Sequence, residues 1–341
     1  MERPDTTLPA RTDRPLARIV SSAMLMHAVA ALIELGAVEE LACSPRPLEE
    51  VARELGVPEE RLLVLVRAAL AAGLVEEPHP GVFTLSPAGD HLRIDDPQGL
   101  RDLFRMCTHS DFFQAWTRLG HSVSSGRSAF AIHTGQELFA YLSEREAAAA
   151  VFNRAMNSSA LAAPLLREID LSETKTVVDL GGGEGATIAA VLRACPSARG
   201  ILFDLPHVVE GAPPLLREAG VEDRCSVMGG DFFEGVPRGA DVYLAARVMQ
   251  NWADPDAALI LGNVREAMGS ASRLLIVGHL PERERPSEFL EAMSLSMFVL
   301  YGAPLRTREQ YEALFASVGL SLHEVRRVPD GESIMDVRPV S

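Results

Sequence analysis

The chain has 341 residues and a mass of 36.8 kDa, too long for one ordinary core, so two domains are expected. It is 47% hydrophobic and 23% charged, a globular balance, with a formal net charge of −15 and a pI near 5.1. The basic footprint that phosphate backbones need is missing, which argues against nucleic acid as a partner.

Met1–Pro15 is polar, punctuated by Pro and Arg, and carries no apolar signal-type region. Ala23–Val38 is the most apolar stretch, but His27 and Glu34 interrupt it and it is too short to span a bilayer, so no membrane partner is expected. Cys43, Cys107, Cys195 and Cys225 are scattered, with no CxxC pair and no histidine at ligand spacing. Reduced thiols, a cytoplasmic location and no metal site are the expectation.

The first 170 residues read as helical. Ile19–Leu35 is apolar nearly all round, which suits a helix buried against a partner. Leu48, Val51, Ala52 and Leu55 follow helical spacing and stop at Gly56; Pro58 and Glu59 open a second helix through Leu70. A turn at Pro78–Gly81 precedes a short strand at Val82, Phe83 and Leu85. Helix, turn, helix, strand is a winged-helix outline, and DNA binding is the sharp reading of it. The segment from Pro45 to Glu77 holds seven glutamates against four arginines, a poor surface for phosphates. A structural or dimerising role is the better expectation, with a metabolite-sensing DNA-binding regulator as the disfavoured rival.

From Thr174 the pattern becomes strand–helix alternation. Thr176–Leu180, Gly200–Asp204, Cys225–Gly229, Ala240–Ala245 and Arg273–Gly278 read as strands. Thr187–Arg193, Val208–Ala219 and Asp256–Met268 read as helices between them. A helix at Arg308–Val318 and strands at Ser321–Val328 and Ser333–Val337 close the chain. This predicts an α/β fold with a doubly wound, Rossmann-like parallel sheet. A linking helix over Glu144–Ile169 sets the expected boundary, giving a helical domain at 1–169 and a cofactor domain at 170–341.

The strongest local signal is Val177-Val178-Asp179-Leu180-Gly181-Gly182-Gly183-Glu184-Gly185, a strand that runs through glycines into a helix. Such a turn lets the backbone approach a ligand, and the helix start offers unpaired N–H groups. Asp204 ends the next strand, where a carboxylate can accept from two ribose hydroxyls, and Gly229-Gly230-Asp231-Phe232-Phe233 leaves the third. Dinucleotide GxGxxG spacing is absent, no Tyr-x-x-x-Lys includes Lys175 (the only lysine), and no Gly-Lys-Ser/Thr occurs. Acids at 179 and 231 suit an ammonium and a sulfonium better than a pyrophosphate, so S-adenosylmethionine is the expected cofactor.

These residues carry a resemblance. VVDLGGGEG, FDLPHVVEGA, GDFFEGVPRGADVYL, the Asn251-Trp252 turn and RTREQYEALFASVGL occur in order. Upstream, Leu119–Gly126, His133-Thr134-Gly135 and Phe152–Met156 continue the likeness. The chain resembles the small-molecule O-methyltransferases, of the plant caffeic-acid type and their bacterial natural-product relatives. That resemblance implies a class I S-adenosylmethionine-dependent methyltransferase sheet, a winged-helix-like N-terminal dimerisation domain and a homodimer. It implies that Gly181, Gly183, Asp204, Leu205, Gly230, Asp231 and Phe232 hold the cofactor, with the Phe232 ring on adenine. It also implies a small aromatic acceptor lined by Met156, Met297 and Trp252.

The chain departs from the family at the base. The family's His-Asp-Trp, whose histidine takes the acceptor proton, is here Gln250-Asn251-Trp252, and an amide has no usable proton affinity. The two glutamates that steer that histidine fall near Gly278 and at Leu305, and the cofactor lysine falls at Ala246. Three accounts follow. Positioning alone can transfer the methyl group, the proton going to water. The acceptor can be a carbon or an amine. Or the cofactor is bound without methyl transfer, as in relatives that hydroxylate, decarboxylate or cyclise. His109, His121, His133 and His279 are the substitute bases on offer, each more readily a structural histidine.

Overall fold

The structure, a computed structural model, describes residues 14–96, 100–156, 167–281, 287–328 and 332–340. The chain divides into two compact units, Met1–His109 and Ser110–Ser341.

In the first unit a helix runs from Arg14 to Glu34, starting earlier than its periodicity suggested. Its C-terminal half is buried through Val29, Leu32 and Ile33, which join Leu41, Val51, Leu62 and Val66 in one core. Its N-terminal half leaves Leu16, Ile19, Val20 and Met24 more than half exposed. The 20 residues Pro15–Glu34 are long and apolar enough to cross a membrane by length and composition, a longer apolar run than Ala23–Val38. Helices at Leu48–Leu55 and Glu59–Ala71 follow.

The first three strands, β1 (Arg46–Pro47), β2 (Val75–His79) and β3 (Val82–Leu85), pair in the order β1-β3-β2. The turn expected at Pro78–Gly81 is confined to Pro80 and Gly81, because Pro78 and His79 belong to β2. Pro78 is tolerated because β2 is an edge, with a register shift between Glu76 and His79.

The second unit is built on a seven-stranded sheet. Its strands are β4 (Thr176–Leu180), β5 (Arg199–Asp204), β6 (Cys225–Gly229), β7 (Val242–Ala246), β8 (Arg273–His279), β9 (Leu320–Arg327) and β10 (Glu332–Pro339). The order is β6-β5-β4-β7-β8-β10-β9, parallel except for β10, which runs antiparallel to both β8 and β9. Both faces are covered, so β4 and β7 read as nearly continuous apolar runs. Val177, Ile188, Leu192 and Leu202 pack on one face, and Val178, Tyr243, Ile260 and Phe315 on the other. Burying each such side chain contributes roughly 1.5–3 kcal/mol. All loops at the C-terminal ends of β4, β5, β6 and β7 therefore open on one edge of the sheet, where ligands bind in open α/β folds.

Helices over Ser110–Ala115, Ala129–Thr134, Leu138–Ser143 and Glu146–Met156 belong to this second unit. The division thus falls at His109, where the sequence placed it at Ile169. Ring contacts explain the difference. Phe112 lies 5.4 Å from Phe130 and 6.3 Å from Phe152, and the Phe139 ring stacks on Trp252. The expected linking helix is seen over Glu146–Met156, while 157–166, like most of Met1–Pro15, lies outside the described residues.

Candidate active site

The glycine loop follows β4, whose Asp179 is only 1% exposed. Gly181, Gly183 and Gly185 have φ of 63°, 61° and 92°, a region that side chains rarely adopt. A Cβ on Gly181 would stand 2.9 Å from Val248 and 3.6 Å from Phe232, inside the space the loop encloses. The Gly181 N–H donates to the Phe203 carbonyl at 2.8 Å, extending the β4–β5 ladder into the loop. The helix Ala186–Ala194 starts at Gly185 without a side-chain cap. Its first N–H groups can therefore serve a ligand.

Asp204 closes β5. Its Oδ2 accepts the Gly183 N–H at 2.8 Å and its Oδ1 the Leu205 N–H at 2.7 Å. Burial pushes this carboxyl above its ordinary range, and the two N–H donors pull it back. After β6, the Gly230 N–H donates to the Asp204 carbonyl at 2.9 Å, and Asp231 Oδ1 accepts the Phe233 N–H at 2.9 Å. Asn263 Nδ2 holds the carbonyls of Phe232 and Phe233 at 2.8 and 2.9 Å, so this exit loop is fixed from behind.

Asp179 is the most perturbed acid of the site. Burial, then the neighbouring Asp204 charge, raise it to about 7 against one opposing N–H from Ile188. Its Oδ2 is buried and has no hydrogen-bond partner among the described residues. An unpartnered carboxyl oxygen beside a glycine cradle and two further acids fits a cationic nucleoside cofactor.

These groups line one cavity of about 340 Å³. Gly181, Gly183, Asp204, Leu205, Gly230, Asp231, Phe232, Asn251, Trp252 and Met156 all reach it, so nearly every residue singled out in the sequence is brought together there. Gln250 and Met297 are not among its lining residues. Gln250 is 7% exposed; its Nε2 donates to the Met297 sulfur at 3.7 Å and its Oε1 accepts the His279 N–H at 3.5 Å. A Cβ on Gly278 would stand 3.0 Å from that Oε1, so positions 250 and 278 face each other. Asn251 turns back, its Nδ2 donating to the Arg247 carbonyl at 3.0 Å.

Phe139 and Arg247 escaped the sequence reading, whereas Trp252 and Phe232 were expected at the site. Trp252 stacks on Phe139 at 5.3 Å and 23°, with Phe232 and Phe233 edge-on at 5.7 and 4.8 Å. Phe139 in turn meets Phe152 at 6.2 Å and Tyr301 at 5.9 Å. This wall joins five segments, which no local motif could reveal. Arg247 also lines the cavity, at a φ of 56°. A non-glycine residue there costs about 1–3 kcal/mol and persists only where its surroundings fix it. Arg306, which opens the RTREQYEALFASVGL segment, is 6% exposed and bonds to Met249, Trp252 and Asp254, contacts that the segment itself does not reveal.

The O-methyltransferase domain family matches residues 116–321. The chain is 38% identical, over 90% of both chains, to the phenazine O-methyltransferase PhzM of Lysobacter antibioticus. It is 34% identical to the mitomycin biosynthesis 6-O-methyltransferase of Streptomyces lavendulae, over 97% of this chain and 95% of that one. The crystal structure of LaPhzM has the same fold, with a TM-score of 0.90 at 36% identity over 97% of this chain and all of that one. The chain therefore belongs to the O-methyltransferase domain family, and it is a class I S-adenosylmethionine-dependent methyltransferase.

Proposed function

We propose that the protein methylates an oxygen of a small aromatic natural-product acceptor, by positioning rather than by base catalysis. The observation that carries this is the aromatic wall of Phe139, Phe152, Trp252 and Tyr301 beside the acid-lined cradle, with an amide at position 250. The relatives named above are a phenazine and a mitomycin-pathway methyltransferase, which supports a flat acceptor. Met156 lines the same cavity, and a thioether adapts well to an aromatic face.

When bound, the cofactor supplies an electrophilic sulfonium methyl group. Asp204 would hold the ribose hydroxyls, Gly181 and Gly183 would admit the amino-acid portion close to the backbone, and Phe232 would pack on the adenine. Asp179 would meet the cationic end. Trp252 and Phe139 orient the acceptor ring, and their apolar surface excludes water from the reacting atoms. Orientation of this kind contributes ~7–11 kcal/mol, while a general base contributes about 10²–10⁴-fold. An acidic phenol reaches its anion without such a base, so Gln250 serves by holding the turn against Met297 and β8. Asn251 contributes through its bond to Arg247.

Leu16, Ile19, Val20 and Met24 form one apolar helical face, which supports pairing with a second copy of the chain. The winged-helix outline of the first unit then serves dimerisation and not DNA binding. Sedimentation velocity should give a dimer; a monomer at micromolar concentration would remove this part. The four cysteines carry free thiols, which supports a cytoplasmic setting.

The deciding experiment is incubation with S-adenosylmethionine and hydroxylated aromatic acceptors of different acidity. S-adenosylhomocysteine and methylated product should form in equal amounts. The pH dependence of kcat/KM should track each acceptor's own pKa. Product without S-adenosylhomocysteine would overturn the transferase, and a pKa common to all acceptors would overturn the base-free mechanism.

A further inference from the structure

The cavity is electrically divided. Asp179, Asp204, Asp231 and Glu184 stand on the side of β4, β5 and β6, whereas Arg247 stands at the end of β7. Two contacts hold Arg247 in its left-handed conformation. Its N–H donates to the Val277 carbonyl at 2.7 Å, and its Nε donates to Oε1 of Glu332 at 2.6 Å. Glu332 is only 4% exposed and sits at the start of β10, paired across to His279, so it is a fixed anchor.

This arrangement leaves the guanidinium half used. Neither Nη group makes a hydrogen bond among the described residues, and the side chain keeps 29% of its surface open. An arginine whose Nε edge is neutralised by a buried carboxylate still presents a planar pair of Nη donors. That pair matches the two oxygens of a carboxylate. A strained backbone at the cavity wall indicates that the position of this side chain, and not the comfort of the chain, is what the surroundings preserve.

We propose that Arg247 is a carboxylate-receiving residue of the active-site cavity, binding an anionic oxygen pair through its two Nη groups. Two sources share this chemistry: a carboxylate on the aromatic acceptor, and the amino-acid end of the cofactor. The acceptor arm rests on the methyl-transfer reading above; the cofactor arm does not need it. Arg247 thus selects its ligand by charge on the side of the cavity opposite the acids.

The test is calorimetric titration of two matched pairs, S-adenosylmethionine against its decarboxylated analogue, and 2-naphthoate against 2-naphthol. The parent is compared with Arg247→Gln and with Arg247→Gln/Glu332→Gln, the second of which leaves no lone buried carboxylate. Both variants should lose about tenfold or more in affinity for the carboxylate-bearing member of one pair, and little for its partner. The pair that responds identifies the source. Equal losses within each pair, or no loss in either, would overturn the proposal. If neither naphthalene binds the parent, the acceptor reading is at fault and the cofactor pair alone decides.

Discussion

Asp204 Oδ2 accepts the Gly183 N–H at 2.8 Å, so a side chain at the end of β5 fixes the loop at the end of β4. The same carboxylate takes the Leu205 N–H, and Gly230 donates to its backbone carbonyl. One residue therefore holds three parts of the proposed cofactor cradle.

Replacing Asp204 by Asn keeps the shape but removes a charged acceptor for two backbone donors. Hydrogen bonds to a charged group contribute about 1.5–3 kcal/mol each. S-adenosylmethionine affinity should fall by about two orders of magnitude by calorimetry, and S-adenosylhomocysteine affinity by as much. Unchanged affinity for both would mean that the nucleoside binds elsewhere.

Asp179 gives a prediction in pH. Its folded pKa, about 7, lies above its ordinary 3.8, because burial and Asp204 disfavour the charge. Cys225 feels the same carboxylate. Between those two values the folded state binds the proton more tightly than the unfolded state. Stability from this group is therefore fully present below about pH 4 and is lost as pH rises through 7. The slope is about 1.4 kcal/mol per unit, so several kcal/mol are involved. Asp179→Asn should remove that slope and be the more stable protein at pH 8 without cofactor. A cationic ligand favours the ionised carboxyl, so cofactor binding should release a proton and tighten as pH rises toward 7. Denaturation curves of the two proteins that run parallel from pH 5 to 8 would contradict the assignment.

The proposed nucleoside half of the site was legible because its parts are local. A strand, a glycine turn and a helix start are adjacent in sequence, Asp204 ends a strand of predictable length, and Asp231 follows another by two residues. The strands at Thr176–Leu180 and Cys225–Gly229 have the expected bounds. The proposed acceptor half was legible only at Met156 and Trp252, since Phe139, Trp252 and Tyr301 meet only after distant helices pack on the sheet. Periodicity cannot give strand order either, so the insertion of β10 between β8 and β9 was invisible. The loss of the base was visible as Gln250. Its contact with Met297, a residue the sequence had assigned to the acceptor, was not. The left-handed Arg247 had no signal, because a positive φ is expected of glycine.

Arg306 connects the turn that carries Asn251 and Trp252 to the rest of the site. Its Nη1 donates to the Met249 carbonyl at 2.8 Å, its Nη2 to the Trp252 carbonyl, and its Nε to Asp254 at 2.8 Å. Asp254 is 77% exposed, so the ion pair itself is screened and contributes about 0–1 kcal/mol. The two carbonyl contacts matter more, because Arg306 is buried and closes both ends of the turn. Arg306→Met keeps the apolar stem and should cost roughly 3 kcal/mol, about 6–12 °C in Tm for a unit of this size. The acceptor KM should rise several-fold as Trp252 loses its position, while cofactor affinity, set by Asp204 and the glycine loop, changes little. Asp254→Ala should leave both near the parent values. If Asp254→Ala costs as much as Arg306→Met, the ion pair and not the turn is what Arg306 maintains. If cofactor affinity falls in step with acceptor KM, the turn is part of the cofactor cradle.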